Sequence, residues 1–163
     1  MVVDSSRKMA PQAKSAVKVV FGAMPIGTGQ EQSRVFDLSD AGKTIDIFQS
    51  YGHDEVDTSR FYGSGSSEEY PAKLQWEERG LVIDTKNFPS AGKRLEKDNW
   101  TLRPEHLREV LMQSLKALNV NKIHMWYLHA PDRTTPITAT LQKVNNLHKE
   151  GLFEKFALSN YMG

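Results

Sequence analysis

Short apolar runs alternate with longer amphipathic stretches along nearly the whole chain. Residues 17–24 (VKVVFGAM) form a β-branched run closed by Gly and Met, which predicts a buried first strand. Over residues 40–50, Ala41, Ile45 and Phe48 recur at helical spacing, with Ser39 expected as the cap and Gly52 as the stop. A second strand is expected at 55–58. The stretch SEEYPAKLQWEERG then reads as a helix that starts near Ser67 or Glu68, holds Pro71 in its first turn and ends at Gly80. A third strand follows at 81–85, then a long polar loop over 87–100. Pro104 opens a clear amphipathic helix with Leu107, Leu111, Leu115 and Leu118 on one face. The fourth strand is expected at 123–128. A helix opened by Thr135 and Pro136, with Leu141, Val144 and Leu147 inward, runs to Gly151. The fifth strand is 156–158.

Five strands alternating with four helices predict an α/β fold whose strands are parallel and joined by crossovers. An open doubly wound sheet and part of a barrel both fit this pattern. The chain has 163 residues, enough for one domain with a sizeable core. Its formal net charge of +1 gives no electrostatic case for nucleic acid or an anionic membrane as partner. No apolar run approaches the roughly 20 residues that span a bilayer. The absence of Cys excludes a disulfide scaffold, a thiol nucleophile and cysteine metal sites, and fits a cytoplasmic protein. Residues 1–16 are polar, lack the apolar core of a secretory signal, and are expected to form a disordered leader to a domain at 17–163.

The predicted strands end in reactive side chains. DEVDTSRFYGSGSSEE carries Asp57 at a strand end and Tyr62 five residues on. LVIDTK ends at Lys86, HMWYLHA carries His129, and KFALSN ends in Ser159 and Asn160. Parallel strands that deliver polar residues at one end build the active sites of βα barrels. A Tyr hydroxyl, with an ordinary pKa near ~10, is a fair proton donor to a developing alkoxide. An ammonium at about 4 Å is worth roughly 4 kcal/mol at an effective dielectric near 20, so Lys86 is expected to lower the phenol's pKa by about one to three. Asp57 can keep that lysine charged, and a neutral His129 can orient a carbonyl oxygen. The set suits carbonyl reduction by hydride transfer from a bound cofactor.

Taken singly, each residue also has a plain structural reading. Asp57 can be a cap, Tyr62 a surface aromatic, Lys86 an ordinary strand-end lysine and His129 a satisfied core histidine. Gly27 and Gly29 lack the third glycine of a dinucleotide fingerprint and read as a turn. His53, His106, His124 and His148 stand in no metal-ligand spacing with a carboxylate, so no metal is expected.

The segments EVDTSRFYGSGSSEE, LVIDTK, WYLHAPD and FALSNY resemble the aldo-keto reductases, most of all the branch of aflatoxin-aldehyde and succinic-semialdehyde reductases. The resemblance covers about residues 17–163. It implies a (β/α)8 TIM barrel and NADPH-dependent reduction of aldehydes and ketones, with a small carbonyl substrate and, in the nearest branch, a homodimer. By motif, Tyr62 resembles the general acid, and Lys86 and Asp57 the pair that tunes it. His129 resembles the residue that orients the carbonyl. Ser159 and Asn160 resemble the pair that holds the nicotinamide carboxamide, and Met24 lies where the family places residues near the substrate. The sequence stops after the fifth strand, whereas such barrels have eight. A truncated barrel of about five strands is therefore expected, with most of the cofactor's phosphate site absent. The alternative function is a catalytically inactive family member or a non-catalytic interaction subunit.

Overall fold

The structure is a computed structural model that describes residues 17–91 and 99–162. The expected leader and the middle of the 87–100 loop lie outside the described residues. Among the described residues five strands are present: β1 (Val20–Gly22), β2 (Glu55–Asp57), β3 (Val82–Asn87), β4 (Ile123–Leu128) and β5 (Phe153–Leu158). Four α-helices separate them: α1 (Leu38–Ser50), α2 (Ser66–Lys73), α3 (Pro104–Leu118) and α4 (Ile137–Lys149). Every strand pair is parallel and the order is β1-β2-β3-β4-β5.

That order decides between the two architectures left open by the pattern. A doubly wound sheet reverses its strand order at a switch point and carries helices on both faces. Here each strand lies beside its predecessor without reversal, as in a barrel. The helices share one face. Ile45 of α1, the four leucines of α3 at 107, 111, 115 and 118, and Val144 and Leu147 of α4 join Val56, Ile83, Trp126 and Leu128 in one buried cluster. Each such side chain contributes roughly 1.5–3 kcal/mol relative to exposure. Neighbours in register on parallel strands share a face, so Asp57 with Asp84 and Lys86 with Tyr127 lie on the opposite side.

Four local expectations are corrected. The cap of α1 is Asp37, whose carboxylate accepts from the amides of Ser39 and Asp40 at 2.8 and 3.1 Å; Ser39 is already helical. Helix α2 stops at Lys73 rather than Gly80, because Gln75 adopts φ +54° and the chain folds back, with Trp76 N bonded to Pro71 O at 3.2 Å. Strand β1 is only three residues long and largely exposed rather than buried. Strand β5 begins three residues early, since Phe153 pairs with Ile123. Among the described residues no helix is long and apolar enough to cross a membrane.

Candidate active site

Because all five strands run the same way, their C-terminal ends share one edge of the sheet. Asp57 is the last residue of β2, Lys86 is next to last in β3, His129 follows β4, and Ser159 follows β5. Tyr62 opens a tight 3-10 turn at Tyr62–Gly65. Two backbone bonds carry the chain from the strand into that turn: Arg60 N to Lys86 O at 3.3 Å and Tyr62 N to Ser59 O at 3.0 Å. Gly63 is required here. Its φ is +56°, and a Cβ would come within 2.4 Å of Ser66 Oγ and 3.1 Å of the Thr28 carbonyl. Behind the turn, buried Glu68 accepts from Arg60 at 2.8 Å and from Thr85 Oγ1 at 2.6 Å, fastening the loop to β3. Burial pushes the Glu68 carboxyl up, and Thr85 and Arg60 oppose the rise.

The four strand-end residues meet. Lys86 Nζ is ion-paired with Asp57 and donates to the Thr58 carbonyl at 3.0 Å. The same ammonium lies 5.1 Å from the centre of the Tyr62 ring and 5.4 Å from that of Tyr127. The Tyr62 hydroxyl is 3.5 Å from His129 Nε2. His129 Nδ1 is 3.1 Å from Ser59 Oγ, and its ring makes edge contacts with Phe61, Tyr62 and Phe88. When Ser59 donates its hydroxyl proton to Nδ1, Nε2 carries the ring hydrogen and points it towards the Tyr62 hydroxyl. Ser59 Oγ also lies 3.3 Å from the Lys86 carbonyl, to which it donates in the other tautomer.

The electrostatics differ from the sequence expectation at Tyr62. A lowered phenol pKa was expected from the ammonium. Instead burial, with the Asp57 carboxylate adding to it, pushes the phenol up to about 12. Lys86 is bound to Asp57 and sits over the ring face, and its charge does not offset that rise. Lys86 itself is pushed down by burial, with Asp57 opposing the fall. Tyr127 is likewise pushed up to about 12, by burial first. Tyr62 therefore keeps its proton across the neutral range.

Ser159 and Asn160 stand at the edge of this group. Asn160 Nδ2 donates to the His129 carbonyl at 2.8 Å and to Ser159 Oγ at 3.0 Å. Asn160 holds a left-handed φ of +60°, which asparagine tolerates better than most residues. Met24, in the turn after β1, is 43% exposed and takes no part in this network. Sequence reasoning missed Ser59, which positions His129, and the aromatic walls Phe61, Phe88 and Tyr127. The signal for the first two was their place inside the same Gly- and Ser-rich motif as Tyr62.

The model of the Aldo/keto reductase family matches residues 18–162. The aldo-keto reductase pigE of Monascus ruber is 40% identical over 153 residues, covering 91% of this chain and 45% of that protein. Aflatoxin B1 aldehyde reductase member 2 of Rattus norvegicus is 37% identical over 156 residues, covering 96% of this chain and 41% of its own length. Among solved structures, the glycerol dehydrogenase of Gluconobacter oxydans superposes with a TM-score of 0.72 at 27% identity, over 87% of this chain and 44% of that one. An aldo/keto reductase from Klebsiella pneumoniae, solved with NADP and acetate, gives a TM-score of 0.70 at 19% identity over 88% of this chain and 46% of that one. The chain thus spans less than half the length of these proteins.

Proposed function

Because the chain belongs to the aldo/keto reductase family, we propose that it serves the NADPH-dependent reduction of an aldehyde or ketone to an alcohol. The observation that carries this reading is the convergence of Asp57, Tyr62, Lys86 and His129 on one sheet edge, with a protonated phenol beside a histidine nitrogen. The donor set at the end of β5 fits a nicotinamide. A carboxamide offers one acceptor oxygen and two N–H donors, and Ser159 and Asn160 supply a hydroxyl and an amide to match it. These two residues would hold the carboxamide, and the bound cofactor would supply the hydride.

The chain's own residues supply the rest. His129 Nε2–H and the Tyr62 hydroxyl both donate to the substrate oxygen and fix the carbonyl between them. As hydride reaches the carbonyl carbon, the C=O π electrons move to oxygen. Tyr62 passes its proton to that oxygen and the alcohol forms. An alkoxide is a stronger base than a phenolate, so the transfer runs downhill even from a phenol raised by burial. Lys86 faces the phenolate left behind, and Asp57 keeps that lysine charged. Phe61 and Phe88 wall the histidine and restrict its rotation.

The test mixes the full chain with NADPH and a panel of aliphatic and aromatic aldehydes. Loss of NADPH absorbance matched mole for mole by alcohol is the expected result. Folded protein that leaves NADPH unconsumed with every carbonyl tried contradicts the proposal. Saturable NADPH binding without turnover would then point to a binding subunit.

A further inference from the structure

Among the described residues, one group of metal-ligating side chains adjoins the site above without belonging to it. It comprises Glu55 of β2, Asp84 of β3 and His124 of β4, whose ligand atoms all lie within 4.8 Å of one another. Glu55 precedes Asp57 by two residues, and Asp84 precedes Lys86 by two. Asp84 thus lies beside Asp57 in register on the inner face, Glu55 lies about 6.6 Å farther down β2, and His124 reaches Asp84 from the start of β4.

One atom in it has no donor beyond the neighbouring acid. Asp84 is fully buried; its Oδ1 bonds His124 Nδ1 at 2.8 Å, whereas its Oδ2 is buried with no hydrogen-bond partner. The Glu55 carboxylate lies beside it, so the two acids meet there with a ligand atom each. Besides Lys86 next to Asp84, positive charge reaches the group at its ends. Lys18 pairs with Glu55, and Lys155 Nζ donates to His124 Nε2 at 3.0 Å. Neither lysine satisfies Asp84 Oδ2. Both are exposed, Lys18 to 62% of its side chain, so both can turn away at little cost.

We propose that Glu55, Asp84 and His124 bind one divalent first-row transition-metal ion, Zn2+ being the best match. Two carboxylates and an imidazole suit that class, because imidazole favours first-row transition metals whereas Ca2+ and Mg2+ prefer all-oxygen shells. Three protein ligands leave one tetrahedral position for water. Ligand atoms about 2.1 Å from the metal stand roughly 3.4 Å apart, so the widest separation must close by about 1.4 Å while the Asp84–His124 pair opens slightly, within the reach of these side chains. When the metal takes Nδ1, the ring proton moves to Nε2 and Lys155 is released. The two positive charges of the metal replace those of the two departing lysines, so the buried charge balance is kept.

The experiment titrates the metal-stripped full chain with ZnCl2 by calorimetry and with CoCl2 by visible absorbance. The expected result is one equivalent of Zn2+ at micromolar affinity, and Co2+ ligand-field bands of four- or five-coordinate intensity. His124→Ala and Asp84→Asn should each weaken binding at least 100-fold, while His106→Ala and His148→Ala leave it unchanged. Circular dichroism establishes that each variant is folded. Should His124→Ala unfold, the wild-type Co2+ spectrum decides alone. Absence of ligand-field bands, or unchanged affinity in a folded His124→Ala chain, overturns the site and leaves a proton shared between Glu55 and Asp84.

Discussion

Replacing Asp57 with Asn removes the carboxylate that faces Lys86 and keeps the side chain's size. The lysine is nearly enclosed, with 7% of its side chain exposed, while Asp57 is 27% exposed. Removing one partner of a buried pair costs about 3–5 kcal/mol. Lys86 keeps its bond to the Thr58 carbonyl and Asp57 is partly solvated, so the lower end, roughly 3 kcal/mol at neutral pH, is expected. The pH dependence has a definite sign. Burial already holds the Lys86 pKa below its usual value, and losing Asp57 lowers it further. In that window the unfolded chain binds more protons than the folded one, so stability rises with pH. The penalty of Asp57→Asn is full below the folded lysine's pKa and shrinks as pH climbs towards about 10.4. Urea unfolding followed by the fluorescence of Trp76, Trp100 and Trp126 measures it. Adding Lys86→Met to the variant should recover most of the loss, because no buried charge is then stranded. A single variant that costs under about 1 kcal/mol, or a double variant no more stable than the single, refutes the reasoning.

Three further outcomes follow from the packing. Leu111→Ala, at a site with no exposure, should cost about 2–5 kcal/mol in the same urea assay. Gly65→Ala should cost clearly more than Gly80→Ala, although both glycines have positive φ. At Gly65 a Cβ would meet Arg60 Nη2 at 1.6 Å and break its bond to Glu68, whereas at Gly80 nothing lies within 4 Å. Asp132→Ala should lower the melting temperature at neutral pH, because that carboxylate accepts from Leu102 N, Thr134 and Thr135. These bonds hold its pKa down to about 2, so the stabilisation is lost as pH falls from about 4 to 2, and variant and wild type should converge there.

What was legible in the sequence was what local pattern encodes. The leucine stripe of α3 and its opening Pro104 set that helix's bounds at both ends. The strand-end motifs put Asp57, Lys86 and His129 on one edge because parallel strands leave no other arrangement. What was hidden depends on partners far away in the chain. The early start of β5 comes from pairing Phe153 with Ile123. The early stop of α2 lets Trp76 Nε1 reach the Leu118 carbonyl at 3.0 Å, a bond no local signal announces. Ser59 looked like one serine among several until the fold set it against His129, which lies 70 residues on. The Tyr62 pKa was misjudged in direction because charge was weighed and burial was not visible. Glu55, Asp84 and His124 escaped the spacing rule because each comes from a different strand and only the folded sheet brings them together.

The central claim is that Tyr62 is the proton donor of a carbonyl-reducing site. The most direct measurement compares wild type with Tyr62→Phe in two assays on the full chain: NADPH affinity by fluorescence titration, and turnover of a reactive aldehyde. The site predicts unchanged affinity and a turnover lower by about 10²–10⁴, the usual worth of a positioned acid. A Tyr62→Phe chain that binds NADPH equally and reduces the aldehyde at an undiminished rate would contradict it.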